Sequence, residues 1–174
     1  MKDVVRAEWD PPGEEWPLLF RHFEEVRGTD FKVCVMMMGR LLATIDPETG
    51  SCTIDGVYPG SLFAEGASLS EANDNVRADI SKILEDVMVS SKNVTDFRAH
   101  IEDFMQTTDE VAVASWKKAL DRVRSGQEEG APDLRKYDAS DWSDFAVVED
   151  VRETQDHKPL MAIPAPPEAS LLAA

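Results

Sequence analysis

The chain has 174 residues, of which 43% are apolar, and its 34 acidic and 18 basic side chains give a formal net charge of −16. This charge argues against ordinary nucleic-acid binding and against adsorption to an anionic membrane, because both need clustered Lys and Arg. It permits a basic protein partner, since opposite electrostatic fields accelerate encounter.

Two cysteines, Cys34 and Cys52, are too few for a disulfide framework and too far apart for a CxxC metal pair. The residues after Met1 lack the apolar run of a signal peptide, and no apolar stretch approaches the ~20 residues of a membrane span. We therefore expect a reduced, cytoplasmic protein without a cofactor, a membrane partner or direct nucleic-acid binding. A homo-oligomer is compatible with this composition.

Residues 1–30 are predicted to form an N-terminal segment with a short helix over 17–27. Pro17 suits the first helical position, and Gly28 suits the position after the last one. Trp16 and Phe23 belong to a set of apolar residues that recur at helical spacing. This spacing predicts one buried helix face.

Residues 31–126 are predicted to form an α+β core that begins with an antiparallel meander. Strands are predicted at 31–38, 41–46, 51–57 and 62–64. Gly39-Arg40 is interpreted as a tight turn between the first two strands, and the run 46–50 as the next turn. Asp46, Glu48 and Asp55 flank that second turn, and we interpret them as part of a solvated hairpin rather than as the paired carboxylates of a hydrolase.

Three helices follow the strands. Ser68 and Glu71 form a capping box ahead of an apolar stripe that continues to Val87. Thr95 is predicted to cap a second helix that ends near 105. The run 107–110 is interpreted as another capping box, whose helix ends near Gly126. The predicted fold is an antiparallel sheet of three to four strands with a helix packed across it, plus a helical extension.

Residues 127–174 are predicted to form an acidic, partly flexible tail, and they carry 11 acidic and 4 basic groups. Within this tail, aromatic side chains alternate with carboxylates that can steer toward a basic surface. The candidate partner-binding residues are Tyr137, Asp138, Asp141, Trp142, Asp144, Phe145 and Glu149. In the alternative interpretation, Trp142 and the pair 147–148 complete the sheet as its last strand, and both interpretations hold if that strand lies at an edge.

The run 53–72 resembles the HicB-like antitoxin family. The matching features are the Pro59-Gly60 turn, Gly66 before the helix, the Ser68 cap and the Glu71-Ala72 helix start. The resemblance spans roughly residues 31–88. It implies an α+β fold, no catalysis and binding to a partner protein, which in the family is a small RNA-cleaving toxin with a basic face.

The leading hypothesis is a non-enzymatic protein-interaction module that binds a basic partner such as a toxin. We expect deletion of residues 127–174 to weaken that binding and to leave the fold intact. The alternative is an acidic inhibitor, of the kind that viruses encode, that mimics nucleic acid. A third hypothesis is an enzyme in which His22 or His100 meets carboxylates in a pocket.

Overall fold

The computed structural model describes residues 14–126, 135–136, 142–151 and 172–173. The strands are β1 (Glu14–Arg27), β2 (Lys32–Ile45), β3 (Cys52–Tyr58), β4 (Phe63–Gly66), β5 (Arg135–Lys136), β6 (Phe145–Asp150) and β7 (Leu172–Ala173). The helices are α1 (Leu69–Ser90), α2 (Val94–Met105) and α3 (Glu110–Arg124). The predicted α+β class is confirmed.

Strand β2 lies at the centre of one sheet with the order β4-β3-β2-β1-β7-β5. One side of β2 pairs antiparallel with β1 along its whole length, from Lys32 to Ile45. The other side is shared by two strands. The first half, from Val33 to Met38, pairs with β6, and the second half, from Arg40 onward, pairs with β3. Strand β6, which follows the helices in the chain, is therefore built into the sheet.

Each face of the sheet packs against a different set of helices, because alternate residues of a strand point to opposite faces. On the first face, Leu18 of β1 and Val35 of β2 join a core with residues of α1 and α2. On the second face, Leu19 of β1 and Leu42 of β2 pack against α3. The indole Nε1 of Trp116 in α3 donates a hydrogen bond to the Leu18 carbonyl at 3.3 Å, which fixes α3 over β1.

The predicted helix over 17–27 is wrong, because these residues form most of strand β1. Helices cover both faces of the strand between Trp16 and Phe20, so consecutive residues are buried and the alternating pattern of a half-buried strand is lost. The apolar residues of this segment that recur at helical spacing do so by chance. Pairing with β2 over 14 residues then determined the conformation.

The predicted turn at Gly39-Arg40 is also wrong, because β2 runs through it without interruption. Gly39 is needed for close packing instead. A Cβ atom at this position would clash with the Tyr58 carbonyl and with the Phe20 ring, 2.5 Å away. The β2–β3 register shifts next to this position, between Arg40 and Leu41.

The helices agree with the predictions except at two N-caps. Ser68 caps α1 by accepting from the Glu71 amide, and Glu71 accepts from the Ala67 amide in return, which confirms the capping box. Helix α2 is capped by Asn93 rather than Thr95. Helix α3 is capped by Asp109, so the predicted capping box over 107–110 is wrong. Gly126 follows α3 with a φ of +72°, as predicted for a helix end.

No helix among the described residues has both the length and the apolar character that crossing a membrane requires.

Candidate interaction surfaces

The predicted partner-binding segment divides into an internal part, an exposed part and a part outside the described residues. Trp142 is 5% exposed and packs against α3 in the second core. Phe145 is half-buried at the start of β6, and Glu149 is exposed on the same strand. Tyr137, Asp138 and Asp141 lie outside the described residues. The alternative interpretation is confirmed for 147–148, which lie in strand β6, whereas Trp142 precedes this strand and β7 follows it in the chain.

A cluster around Arg40 holds this segment against the sheet. The Arg40 Nε lies 3.2 Å from the Asp144 carboxylate, and both side chains are mostly buried. The guanidinium carbon lies 4.9 Å from the Trp116 ring centroid and 5.7 Å from the Tyr58 ring centroid. Burial raises the pKa of Asp144 even though Arg40 opposes that shift. Asp144 therefore acts as an internal ion-pair partner.

Helix α2 also holds strand β6 in place. Arg98 of α2 donates a hydrogen bond from Nη2 to the Val148 carbonyl at 2.9 Å. Val148 itself is buried in the first core. Deletion of residues 127–174 would remove Trp142 and Val148 from the two cores, so the structure favours a loss of stability on deletion over an intact fold.

An uncovered apolar surface, here called the open face, lies on the second side of the sheet beyond α3. Its centre is a cross-strand row of Phe23 in β1, Met36 in β2 and Val147 in β6. Phe23 is 62% exposed and Val147 is 37% exposed. Exposed apolar rows of this kind mark interaction surfaces more often than isolated residues do.

Charged residues border the open face in neighbouring rows. The next row toward the β1–β2 turn consists of Glu25, Cys34 and Glu149. Burial raises the pKa of the Cys34 thiol, and the two carboxylates beside it raise that pKa further. On the other side of Phe23, the row contains Arg21, whose buried Nε has no hydrogen-bond acceptor among the described residues. The open face thus carries charges of both signs.

A second surface, here called the acidic corner, consists of Asp55, Phe63, Glu65 and the α3 cap Asp109. Asp55 of β3 lies opposite Phe63 of β4, which is 55% exposed. Burial raises the pKa of the Asp55 carboxyl, and the negative charge of Asp109 raises it further. Among the described residues, no salt bridge joins Asp55 or Asp109 to a cation.

Tight loop packing brings these two carboxylates together. The Gly60 amide, between β3 and β4, donates to the Thr107 carbonyl at 2.8 Å, ahead of α3. A Cβ atom on Gly60 would clash with the backbone of Thr108 and Asp109. Asp109 is held by its own helix, because its carboxylate accepts from the amides of Val111 and Ala112 at 2.8 and 3.1 Å. Two negative charges are therefore fixed close to each other.

The sequence predicts that Asp55 belongs to a solvated hairpin. Only the turn of that hairpin is exposed to solvent, and Asp55 is not part of the turn. Asp46 accepts hydrogen bonds from the Glu48 amide and the Thr49 hydroxyl, both at 2.8 Å, in an exposed turn. Asp55, by contrast, is half-buried near the start of α3. No sequence signal reveals the approach of Asp109, since it depends on how the two loops pack.

The histidines considered for catalysis have separate local partners. His22 is buried on β1, with its Nε2 2.8 Å from a Glu24 carboxylate that also accepts from the Ser81 hydroxyl. The Nδ1 of His100 lies 3.2 Å from the Ser91 hydroxyl. In the part of the chain that the structure describes, no group of three or more His, Cys, Asp or Glu side chains is arranged to hold a metal ion.

A shallow depression of about 850 Å³ lies beside the β1–β2 turn. Its lining includes the cations Arg27, Lys32 and Lys92 and the carboxylate Asp150. Arg27 ends β1, Lys32 begins β2, and Lys92 lies between α1 and α2. The acidic corner, in contrast, is built from β3, β4 and the start of α3.

The described residues thus form an α+β fold that exposes the open face and the acidic corner on one face of its sheet. Comparison of the chain with protein-family models, with curated proteins and with solved structures finds no match.

Proposed function

We propose that the chain is a non-enzymatic, HicB-like protein-interaction module that binds a basic partner protein such as a toxin. The proposal rests on the net charge of −16 and on the resemblance of residues 31–88 to HicB-like antitoxins. In this proposal, the acidic corner is the contact surface for the partner. The observation that carries this assignment is the half-buried Asp55 carboxylate beside Asp109, with no cation from the described residues paired to it.

The electrostatics of the acidic corner favour a cationic side chain as the group that is bound. Burial and a neighbouring negative charge both make the ionised form of Asp55 unfavourable. A Lys or Arg from a partner would offset both effects, because an opposite charge within about 4–6 Å stabilises the ionised carboxylate. A partly buried ion pair of this kind contributes more to binding than a fully exposed one.

Phe63 supplies the apolar part of the same contact. Its ring is exposed directly across from Asp55, and Glu65 lies on the same face of β4. Aromatic anchors surrounded by polar groups are the usual centres of binding energy at protein interfaces. The partner surface that fits here therefore combines an apolar side chain with Lys or Arg residues.

The predicted partner-binding segment enters the proposal with a reduced set of residues. Trp142 and Asp144 are engaged inside the chain, so we assign them to the stability of the fold. Glu149 remains exposed on β6. Binding by Tyr137, Asp138 and Asp141 stays a prediction.

Affinity purification with the tagged full-length chain tests the proposal. Three baits are compared, namely the wild type, Asp55→Asn and Asp74→Asn, since Asp74 is an exposed carboxylate on α1. The two variants change the net charge equally, so only the position of the charge differs. We expect the wild type and Asp74→Asn to retain the same basic protein and Asp55→Asn to lose most of it, as measured by quantitative mass spectrometry.

Two outcomes would contradict the proposal in different ways. Retention of no basic protein by the wild type at about 0.15 M salt would reject the function itself. Equal loss with both variants would assign the binding to overall charge. If duplex DNA competes for the captured protein, the chain is instead an acidic mimic of nucleic acid.

A further inference from the structure

The open face is uncovered although it lies next to a covered part of the same sheet. Helix α3 packs over Leu19 and Leu42, and its coverage ends before Phe23. The row of Phe23, Met36 and Val147 runs across three neighbouring strands. An exposed apolar row that runs across the strands of a sheet fits another sheet better than it fits a small ligand, because stacked sheets pack through such rows at about 10 Å.

Charges of opposite sign lie at equal distances on either side of Phe23. Arg21 precedes it by two residues and Glu25 follows it by two residues, so all three share one face of β1. Each charge is about 6–7 Å from Phe23 along the strand. Arg21 forms no salt bridge with the described residues, and its buried Nε lacks an acceptor. Among the described residues, the cation that pairs with Glu25 is the exposed Arg27.

We propose that the open face is a self-association surface that packs against the same face of a second copy of this chain. In this dimer a two-fold axis passes through the Phe23 row, so that Arg21 of each copy meets Glu25 of the other. An isologous interface requires this arrangement, since every contact between two different residues must occur twice. Phe23, Met36 and Val147 then meet their own counterparts at the centre.

The charges favour a second copy over a basic partner protein at this face. A basic partner would meet Arg21 on one side of the apolar row, and this contact is repulsive. A second copy offers a carboxylate to each Arg21 and removes the exposed Phe23 ring from water. The net charge of −16 opposes association over longer distances, but this repulsion is screened beyond about 8 Å at physiological salt. We therefore expect a weak dimer that is favoured by moderate salt.

Sedimentation equilibrium of the full-length chain tests this inference. The concentration is varied from about 5 μM to about 1 mM at about 0.15 M NaCl, the range over which weak dimers form. We expect the wild type to show a concentration-dependent dimer. Phe23→Asp should stay monomeric throughout, and Phe63→Asp, which changes the exposed aromatic residue of the acidic corner, should dimerise like the wild type.

Charge reversal gives the decisive arm of the experiment. Arg21→Glu and Glu25→Arg should each weaken dimerisation by about tenfold or more, because each places like charges opposite one another twice. An equimolar mixture of the two variants should form a heterodimer, since Glu and Arg then face each other again at both pairs. If both variants weaken dimerisation only slightly and their mixture forms no heterodimer, the proposed pairing is overturned.

A second variant protects the test against misfolding. If Phe23→Asp is unfolded by circular dichroism, Val147→Asp replaces it, because Val147 lies in the same row on a different strand. A wild type that is monomeric at about 1 mM would reject the dimer, as would dimerisation that is lost with Phe63→Asp and kept with Phe23→Asp. None of these results depends on the basic partner of the proposed function.

Discussion

The acidic corner and the open face both expose a phenylalanine on the same side of the sheet, yet their surroundings differ. Phe63 lies across from Asp55, close to a second carboxylate, while Phe23 lies between Arg21 and Glu25. A surface with one sign of charge is complementary only to a different molecule. A surface with both signs at equal distances is complementary to itself. The exposed ring therefore marks a site of contact, and the charges around it determine whether a different protein or a second copy binds there.

The largest expected effect concerns the segment that completes the open face. Trp142→Ala should lower the free energy of unfolding by about 3–5 kcal/mol, because a buried indole is replaced by a cavity between α3 and the sheet. Urea unfolding followed by circular dichroism measures this loss. A loss below about 1 kcal/mol would mean that residue 142 is not part of the core, and the open face would then lack a fixed β6.

A smaller loss is expected from Arg40→Ala, which removes the ion pair with Asp144 and the stacking on Trp116 and Tyr58. We expect destabilisation by about 2–3 kcal/mol, because Asp144 is left mostly buried without its cation. Arg27→Ala is the matched control. Its ion pair with Glu25 is exposed, so its loss should cost at most about 0.5 kcal/mol. If both variants lose the same free energy of unfolding, burial does not determine how much these ion pairs contribute to stability.

The sequence predicts the half of this fold that depends on local chemistry. The Ser68–Glu71 capping box and the apolar stripe behind it specify α1 within a few residues, since both signals lie along one helix. Strand β1 could not be predicted, because its burial on two faces depends on α1 and α3, which are distant in sequence. Gly39 resembled a turn residue, and its real role depends on the approach of Tyr58.

The candidate surfaces were harder to predict than the fold. The alternation of acids and aromatics near Trp142 predicts contact with another surface. It could not indicate that Arg40 and α3 of the same chain provide the binding site for it. The sequence assigns Phe23 to a buried helix face and does not mark Phe63 as exposed, because exposure depends on where α3 stops covering the sheet.

A modest gain of stability is expected from Asp55→Asn, and it separates a binding role from a structural one. At neutral pH the variant removes a half-buried charge and its repulsion by Asp109, so unfolding should require slightly more free energy, by about 0.5 kcal/mol after solvent screening. The carboxyl has a raised pKa in the folded state, so the folded chain binds its proton more tightly than the unfolded chain does. The wild type therefore recovers stability as the pH falls through this raised pKa, and the difference from Asp55→Asn shrinks.

The control for this variant is Asp74→Asn, whose exposed carboxylate should leave stability unchanged at every pH. A stabilised Asp55→Asn chain that also loses its basic partner would show that Asp55 contributes to binding at a cost to the fold. A destabilised Asp55→Asn chain would mean that the charge supports the fold, and the acidic corner would lose its main argument.

The smallest effect is a reactivity difference that reports on the open face without changing its packing. Cys34 lies between Glu25 and Glu149, and its pKa is raised by burial and by both carboxylates, so it holds less thiolate at neutral pH than an ordinary thiol. Glu149→Gln should speed its alkylation by iodoacetamide about two- to threefold, because one of the two nearby negative charges is lost. Glu65→Gln, at the acidic corner, should leave the rate unchanged. Cys52 provides the internal reference, since burial raises its pKa to about 11 and it should stay unmodified while the chain is folded.

Mass spectrometry resolves the two cysteine sites, and a second measurement of the alkylation rates at high protein concentration includes the dimer in the comparison. A Cys34 rate that falls with concentration in the wild type and stays constant in Phe23→Asp would connect this thiol to the self-association surface, whereas a constant rate in both would separate them.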